Sequence, residues 1–350
     1  MTTECHMITN TDNIVLHETA AWHGLGTVVE SAPTPGQALT LAGLDWTAEE
    51  RPIGLTPIAD EGITGIKSHK ALIRSDNGDV LSVVGSKYRP VQNEELALFC
   101  YELSEEGADV RIETAGSLRG GTRVWFLLKG NTMYADKKER DPVVPYMMVY
   151  NSHDQTSSVE LLPTNIRVVC NNTLTSARSK RGSNATVRFR HTESIMRRVG
   201  AASAQIRQGL KNMQRWNDIV RQINSIEVHK NGVDRMFDGI YGLLWGNSKY
   251  ENAKQTDSAM MRYFTKKNGR IEEWNNILEK ELDEHGLDRT PWTVANAVTN
   301  WIDHRMNVKL SNKSQHNTIQ EAREFNNWFG SAAKRKGQVM THAMTYAELI

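Results

Sequence analysis

Cysteine is scarce in this 350-residue chain, with Cys5, Cys100 and Cys170 as its only three copies. They are odd in number and far apart, and no CxxC or Cys/His ligand spacing surrounds them. That pattern supports neither a disulfide framework nor a structural zinc site, and a reducing cytoplasm is the expected location. Long apolar runs are missing too. The strongest, such as Val143 to Tyr150, are strand-sized and fall short of the roughly 18 residues of a membrane span, so no membrane partner is expected. The opening residues MTTECHMITNTD hold neither a basic region nor an apolar core, so no secretory leader is expected. A phosphate loop is also absent. Neither Gly24/Gly26 nor Gly120-Gly121 is followed by the Lys-Ser/Thr that such a loop needs, and the second pair reads as a tight turn before a strand. No cofactor is expected.

What the chain does have is a lopsided charge distribution hidden beneath a net charge of +1. Residues 1–163 carry thirteen Lys or Arg against twenty-three Asp or Glu. From Thr164 to Arg221 there are twelve bases and only two acids, Glu193 and Asp218. The remaining residues are nearly balanced, at seventeen against sixteen. Concentrated positive charge suits a polyanion, because each neutralised phosphate releases condensed counterions. A solvated helical face is the plainer explanation of a charge run. Here, though, the run opens in the Gly/Ser/Asn-rich segment Ser176 to Thr186, poor material for a structural helix.

The length predicts two domains or three, and nine tryptophans spread from Trp22 to Trp328 argue that both halves bury cores. Thr34-Pro35 opens a short helix, closed by Gly43. Leu44 to Ile53 is strand-like, and the stretches 65–74 and 80–84 form a hairpin across Asp76-Asn77-Gly78-Asp79. Asn93 caps a helix reaching about Glu106. Strand-length apolar segments follow at 109–115, 121–129, 145–150 and 157–170. A helix followed by consecutive strands predicts an α+β domain built on an antiparallel sheet, over residues 1–190. Beyond it, Ile195, Val199, Ala202, Ile206, Leu210, Met213, Trp216, Val220, Ile223 and Ile226 recur at three- and four-residue steps. That period predicts one long basic helix over about 192–226 with a narrow apolar seam, inside an all-helical region 191–350. Further helices are expected at 233–245, 271–285, 291–306 and 319–329, and a basic cluster, Lys334-Arg335-Lys336, precedes a last amphipathic stretch.

Three candidate chemistries stand beside the charge. Asn151-Ser152-His153-Asp154 with Glu160 puts a histidine and two carboxylates within ten residues, a group that could hold a divalent metal for phosphodiester hydrolysis. A polar turn whose side chains cap backbone groups explains the same residues. Cys170 with His153 as base would make a nucleophile pair, although a cysteine after Val168-Val169 more often sits in a core. Tyr88, Tyr150 and Phe189 lie near Lys87, Arg89, Arg188 and Arg190, and bases stacking beside a cationic groove is how sequence-tolerant single-strand binding works. Ordinary strand packing is the alternative.

Several segments together resemble a known family. They are Ala21-Trp22-His23-Gly24-Leu25-Gly26, the stretch VGSKYRPVQN at 84–93, LRGGTRVW at 118–125, Asn151-Ser152-His153-Asp154, IRVVCNNTL at 166–174, and Ala295-Asn296-Ala297-Val298-Thr299 leading into Asp303-His304. The set is similar to the phage/plasmid-like proteins built on a widespread domain of unknown function. The resemblance implies a mobile-element origin and a bacterial cytoplasm, and carries no assigned chemistry. In element order and charge placement the chain also resembles the phage single-strand annealing proteins of the RecT/Redβ and Rad type, an analogy of fold alone.

The resulting expectation is a DNA-transaction protein, more a binder than an enzyme. It would bind single-stranded nucleic acid, DNA above all, and assemble as a homo-oligomer, with strand annealing as one outcome of that binding. Backbone contact falls to Arg167, Arg178, Lys180, Arg181, Arg188, Arg190, Arg197 and Arg198, and stacking to Tyr88, Tyr150 and Phe189. The alternatives are a metal-dependent nuclease using His153, Asp154 and Glu160, and a non-enzymatic counter-defence protein that presents the long helix to a partner.

Overall fold

The computed structural model describes residues 14–17, 27–29, 34–56, 63–105, 111–167, 172–175, 187–189, 203–246, 256–308 and 330–348, with a few isolated positions between them. Among them run twelve strands and seven α-helices. The fold is α+β, with antiparallel sheets in the N-terminal half and most helices in the C-terminal half.

Helix α1 (Pro35–Leu41) starts at Thr34, whose hydroxyl accepts from the Gln37 amide while the Gln37 side chain takes the Thr34 amide. This reciprocal cap satisfies two of the donors that a helix start leaves open. Strands β3 (Ala48–Leu55), β4 (Thr64–Arg74) and β5 (Val80–Gly85) form a small antiparallel sheet in that order. The β4–β5 hairpin closes where expected: Gly78 takes φ 78° and donates its amide to Arg74 O at 3.0 Å. Helix α2 (Asn93–Glu105) follows. Asn93 does not cap it, contrary to expectation. Its side-chain amide donates to Leu44 O and Trp46 O at 3.0 and 3.2 Å, tying α2 to the chain before β3. The helix start is met instead by Glu95, which accepts from the Gln92 amide at 2.7 Å.

The large sheet runs β11-β10-β9-β7-β6-β1-β2, with β12 also on β10 and β8 also on β9. Its strands are β1 (Ile14–His17), β2 (Thr27–Val29), β6 (Arg111–Leu118), β7 (Arg123–Lys129), β8 (Met133–Tyr134), β9 (Pro142–Ser152), β10 (Val159–Arg167), β11 (Asn172–Thr175) and β12 (Val187–Phe189). All pairings are antiparallel except β1 with β2. The central strands β7 and β9 are almost wholly buried, as their continuous apolar sequences require of strands covered on both faces. On one face Val124, Phe126, Leu128, Met147 and Val149 join Leu96 and Phe99 of α2, Ala38 of α1 and Leu72 and Val84 of the small sheet.

Helices form the second core: α3 (Ser203–Asn224), α4 (Lys230–Tyr241), α5 (Asp257–His285), α6 (Pro291–Asn300) and α7 (Ser331–Glu348). Of the long helix expected at about 192–226, the part from Ser203 is described. Its seam residues Trp216, Val220 and Ile223 are buried with Phe237, Trp274, Trp292 and Val339, and this core takes in Met133, Ala135 and Val143 of the sheet region. Helix α3 lies against β9 and β10, and α6 and α7 against β11. The seam is therefore used within the chain. Helix α5 begins at Asp257 behind the Thr256 cap, well before the apolar period that starts at Ile271. Its first turns expose Met261, Arg262, Lys266 and Asn268, so they carry no stripe to read. Helices α4 and α6 each run on into a π turn, Gly242–Gly246 and Trp301–Arg305.

Candidate functional site

Three of the segments that carry the family resemblance, far apart in sequence, meet at one buried junction between the two sheets. Asn151 and Ser152 end β9, and His153 and Asp154 form the turn after it. The Asn151 side chain donates to Val91 O at 3.0 Å, and the Tyr88 hydroxyl donates to Ser152 O at 3.0 Å. The His153 amide donates to Thr122 O, Ser82 Oγ donates to His153 O, and His153 Nε2 lies 3.3 Å from Asn93 Oδ1. The imidazole is fully buried against the Trp46 ring, with centroids 5.5 Å apart. Asp154 forms an ion pair with Arg123 and accepts from Ser152 Oγ and Thr156 Oγ1. Burial pushes the Asp154 carboxyl up, but the Arg123 and Thr156 hydrogen bonds and the Arg123 charge outweigh it and hold the group below the usual carboxylate range. Burial also pushes the Tyr88 phenol up, with help from the Asp154 charge.

This arrangement bears on the expected chemistries. Glu160 is held on another strand by Arg188, its cross-strand neighbour, at 3.2 Å, and by Ser157 Oγ at 2.6 Å. His153, Asp154 and Glu160 are thus each engaged by different protein groups. Among the described residues no cluster of three or more His, Cys, Asp or Glu is placed to hold a metal. Tyr88 and Tyr150 are 8% and 2% exposed, so both rings face protein. The Phe189 side chain and Cys170 lie outside the described residues, as do the side chains of Arg167, Arg178, Lys180, Arg181, Arg190, Arg197 and Arg198.

The described end of the basic stretch is α3. Its buried seam turns Lys211, Arg215 and Arg221 outward on the opposite side of the helix, all exposed. Arg221 pairs loosely with Asp218 at 3.7 Å, and Lys211 and Arg215 have no ion-pair partner among the described residues.

A separate cavity of about 900 Å³ opens among α4, α5, α7 and the two π turns. Each π turn contributes a tryptophan to its wall, Trp245 from the first and Trp301 from the second. A π turn widens the helix by one residue and re-aims the side chains around it, a distortion frequent at functional sites. The two rings meet edge to face at 5.9 Å, and Trp274 stacks behind Trp245 at 6.0 Å. The Arg270 guanidinium lies 3.7 Å from the Trp301 ring centroid and bonds Glu273, which also accepts from the Trp301 indole at 2.7 Å. Arg335 sits 5.8 Å from the Trp245 ring and donates to Met306 Sδ. Lys266 and Arg305 complete the positive rim. Behind the second π turn, Lys336 and Asp303 form a buried ion pair at 2.7 Å, joining the turn to α7. Arg323 caps the same turn, donating to Asp303 O and Met306 O.

The match to known families covers residues 80–325, most of the chain, and is to a domain of unknown function, DUF932. The chain belongs to the DUF932 family. No curated protein and no solved structure matches it. The DUF932 region takes in the junction apart from Trp46, the large sheet from β6 onward and helices α2 to α6, and leaves α1, β3, β4 and α7 outside. The cleft therefore draws Arg335 from beyond the domain.

The cleft was not legible in the sequence. Its residues come from segments about 30 residues apart, and none belongs to a short motif. The one trace is the Lys334-Arg335-Lys336 cluster, which the structure splits three ways: Lys334 into solvent, Arg335 to the cleft, Lys336 into the core.

Proposed function

We propose that this DUF932 protein is a mobile-element DNA-transaction protein that binds single-stranded nucleic acid through its phosphates and brings strands together without hydrolysing them. The observation that carries the reading is the stretch from Thr164 to Arg221, with twelve bases and two acids. Its described end, α3, uses its apolar seam inward and turns Lys211 and Arg215 outward without ion-pair partners among the described residues. Unneutralised cations along one helical face suit a backbone that offers a phosphate at every nucleotide. The backbone contacts are assigned to Arg167, Arg178, Lys180, Arg181, Arg188, Arg190, Arg197 and Arg198, with Lys211 and Arg215 continuing the track. The acidic residues 1–163 of one copy facing the basic stretch of the next would assemble the protein head to tail.

The test is a titration with single- and double-stranded DNA and RNA at several salt concentrations, followed by light scattering. Log affinity for a single strand should fall linearly with log salt, at about −0.7 per phosphate contacted. Replacing Arg178, Lys180 and Arg181 together with Ala should flatten that slope by about two units, alike for every base sequence. An unchanged slope would reduce the basic stretch to a solvated surface. A monomer at low and moderate salt, with and without DNA, would remove the head-to-tail assembly.

A further inference from the structure

Two features of the α4–α5–α7 cleft belong together: an aromatic wall and cations without counter-charges. Lys266, Arg305 and Arg335 have no carboxylate partner among the described residues, and the one acid lining the cleft, Glu273, is already engaged by Arg270 and the Trp301 indole. The rim thus holds about three uncompensated positive charges. Trp245 lines the cavity and is only half-buried, while Trp274, which does not line it, backs the ring. A ligand that satisfies both features is flat and π-bonded at one end and multiply negative at the other. The volume of about 900 Å³ lies within the range of small-molecule pockets, roughly 300–1,000 Å³.

We infer that this cleft binds a free nucleoside polyphosphate, its base stacked on Trp245 and its phosphates held by Arg305 and Arg335. Guanidinium suits this role because its planar fork meets phosphate oxygens in pairs and stays charged at any working pH. Neither a glycine-rich phosphate loop nor a carboxylate cluster for a divalent ion stands at the cleft among the described residues, so the arginines carry the charge compensation that a metal supplies elsewhere. The inference concerns binding and includes no hydrolysis. It does not rest on the strand-binding reading, since α3 contributes nothing to the cleft wall.

The test is calorimetric titration of the full chain, in EDTA, with ATP, inorganic tripolyphosphate, adenosine and a 5′-phosphorylated single-stranded oligonucleotide. ATP should bind at one saturable site, with tripolyphosphate and adenosine each weaker by about tenfold or more, since each keeps only half of the contacts. Arg305→Ala and Arg335→Ala should each weaken ATP and tripolyphosphate by about tenfold or more. Arg305 is exposed, so its replacement leaves the fold intact. Trp245→Leu should weaken ATP by about tenfold while sparing tripolyphosphate. Lys211→Ala with Arg215→Ala should leave ATP affinity unchanged while reducing the salt slope for strands, so the two readings fail separately. No saturable binding of ATP, unchanged affinity in both arginine variants, or a cleft that accepts only the oligonucleotide would each overturn the inference.

Discussion

At Gly121 a single hydrogen decides how the junction closes. The residue takes φ 91°, and a Cβ there would stand 2.7 Å from the Trp46 ring, which is itself buried against His153. Gly121→Ala combines a backbone conformation that L-residues avoid with a displaced core indole, and should cost about 2–4 kcal/mol in urea unfolding. A variant as stable as wild type would mean that Trp46 can move freely. Asp154 supplies the acid sensitivity of the same junction. Its folded-state pKa lies below the ordinary 3.8. The stability it contributes is therefore complete above that value and lost as pH falls through the lowered one. Thermal unfolding should destabilise below pH ~4, and Asp154→Asn should flatten that limb. Glu50, Asp76 and Asp136, also lowered by basic partners, retain part of the slope in the variant. An identical acid limb in Asp154→Asn would show that the Arg123 pair carries none of it.

Among the elements, the second π turn is the one whose geometry rests on a charge. Lys336 and Asp303 are 0% and 2% exposed, so the pair that joins Trp301–Arg305 to α7 is shut off from water. Removing the ammonium leaves the buried Asp303 charge uncompensated: Lys336→Met should cost about 3–5 kcal/mol in denaturant unfolding. The double variant Lys336→Met with Asp303→Leu should recover much of that loss, because an apolar pair of similar volume carries no desolvation penalty. Equal losses in the single and double variants would deny the pair its structural role. The same logic separates helices legible in sequence from those that were not. Thr34 and Thr290 announce their helices because a short hydroxyl before proline suits a helix start, and both form reciprocal caps. Asn93 carries a similar signal, but its amide donates to two carbonyls before β3 and its Oδ1, the atom a cap would use, faces His153 Nε2 at 3.3 Å.

For the whole molecule, the large sheet is the shared surface. The small sheet with α1 and α2 covers one face, and C-terminal helices rest against β9, β10 and β11. The helical core also takes in Met133, Ala135 and Val143 of the sheet region. The charge polarity of the chain is superimposed on this packing. The salt-slope experiment belongs at this scale, because counterion release sums over every cation that a strand touches.

The sequence by itself determined the class of the fold, the β4–β5 hairpin, the strand-length apolar segments of β7 and β9 and the apolar seam of α3, but not that this seam packs within the chain. Each of these depends on local period or turn chemistry, which a linear string records directly. It also displayed the basic stretch, because net charge is additive along a chain. Only the tertiary structure decided that Tyr88, Asn93, Gly121, Arg123 and His153 meet at one buried junction, where His153, Asp154 and Tyr88, which read as parts of a metal site and a stacking platform, are each engaged by other protein groups. Only the tertiary structure assembled the cleft, whose tryptophans sit on π turns and whose arginines come from α5, α7 and the turn after α6. Such a site arises from helix packing, and packing brings together residues whose separation in sequence carries no period to read.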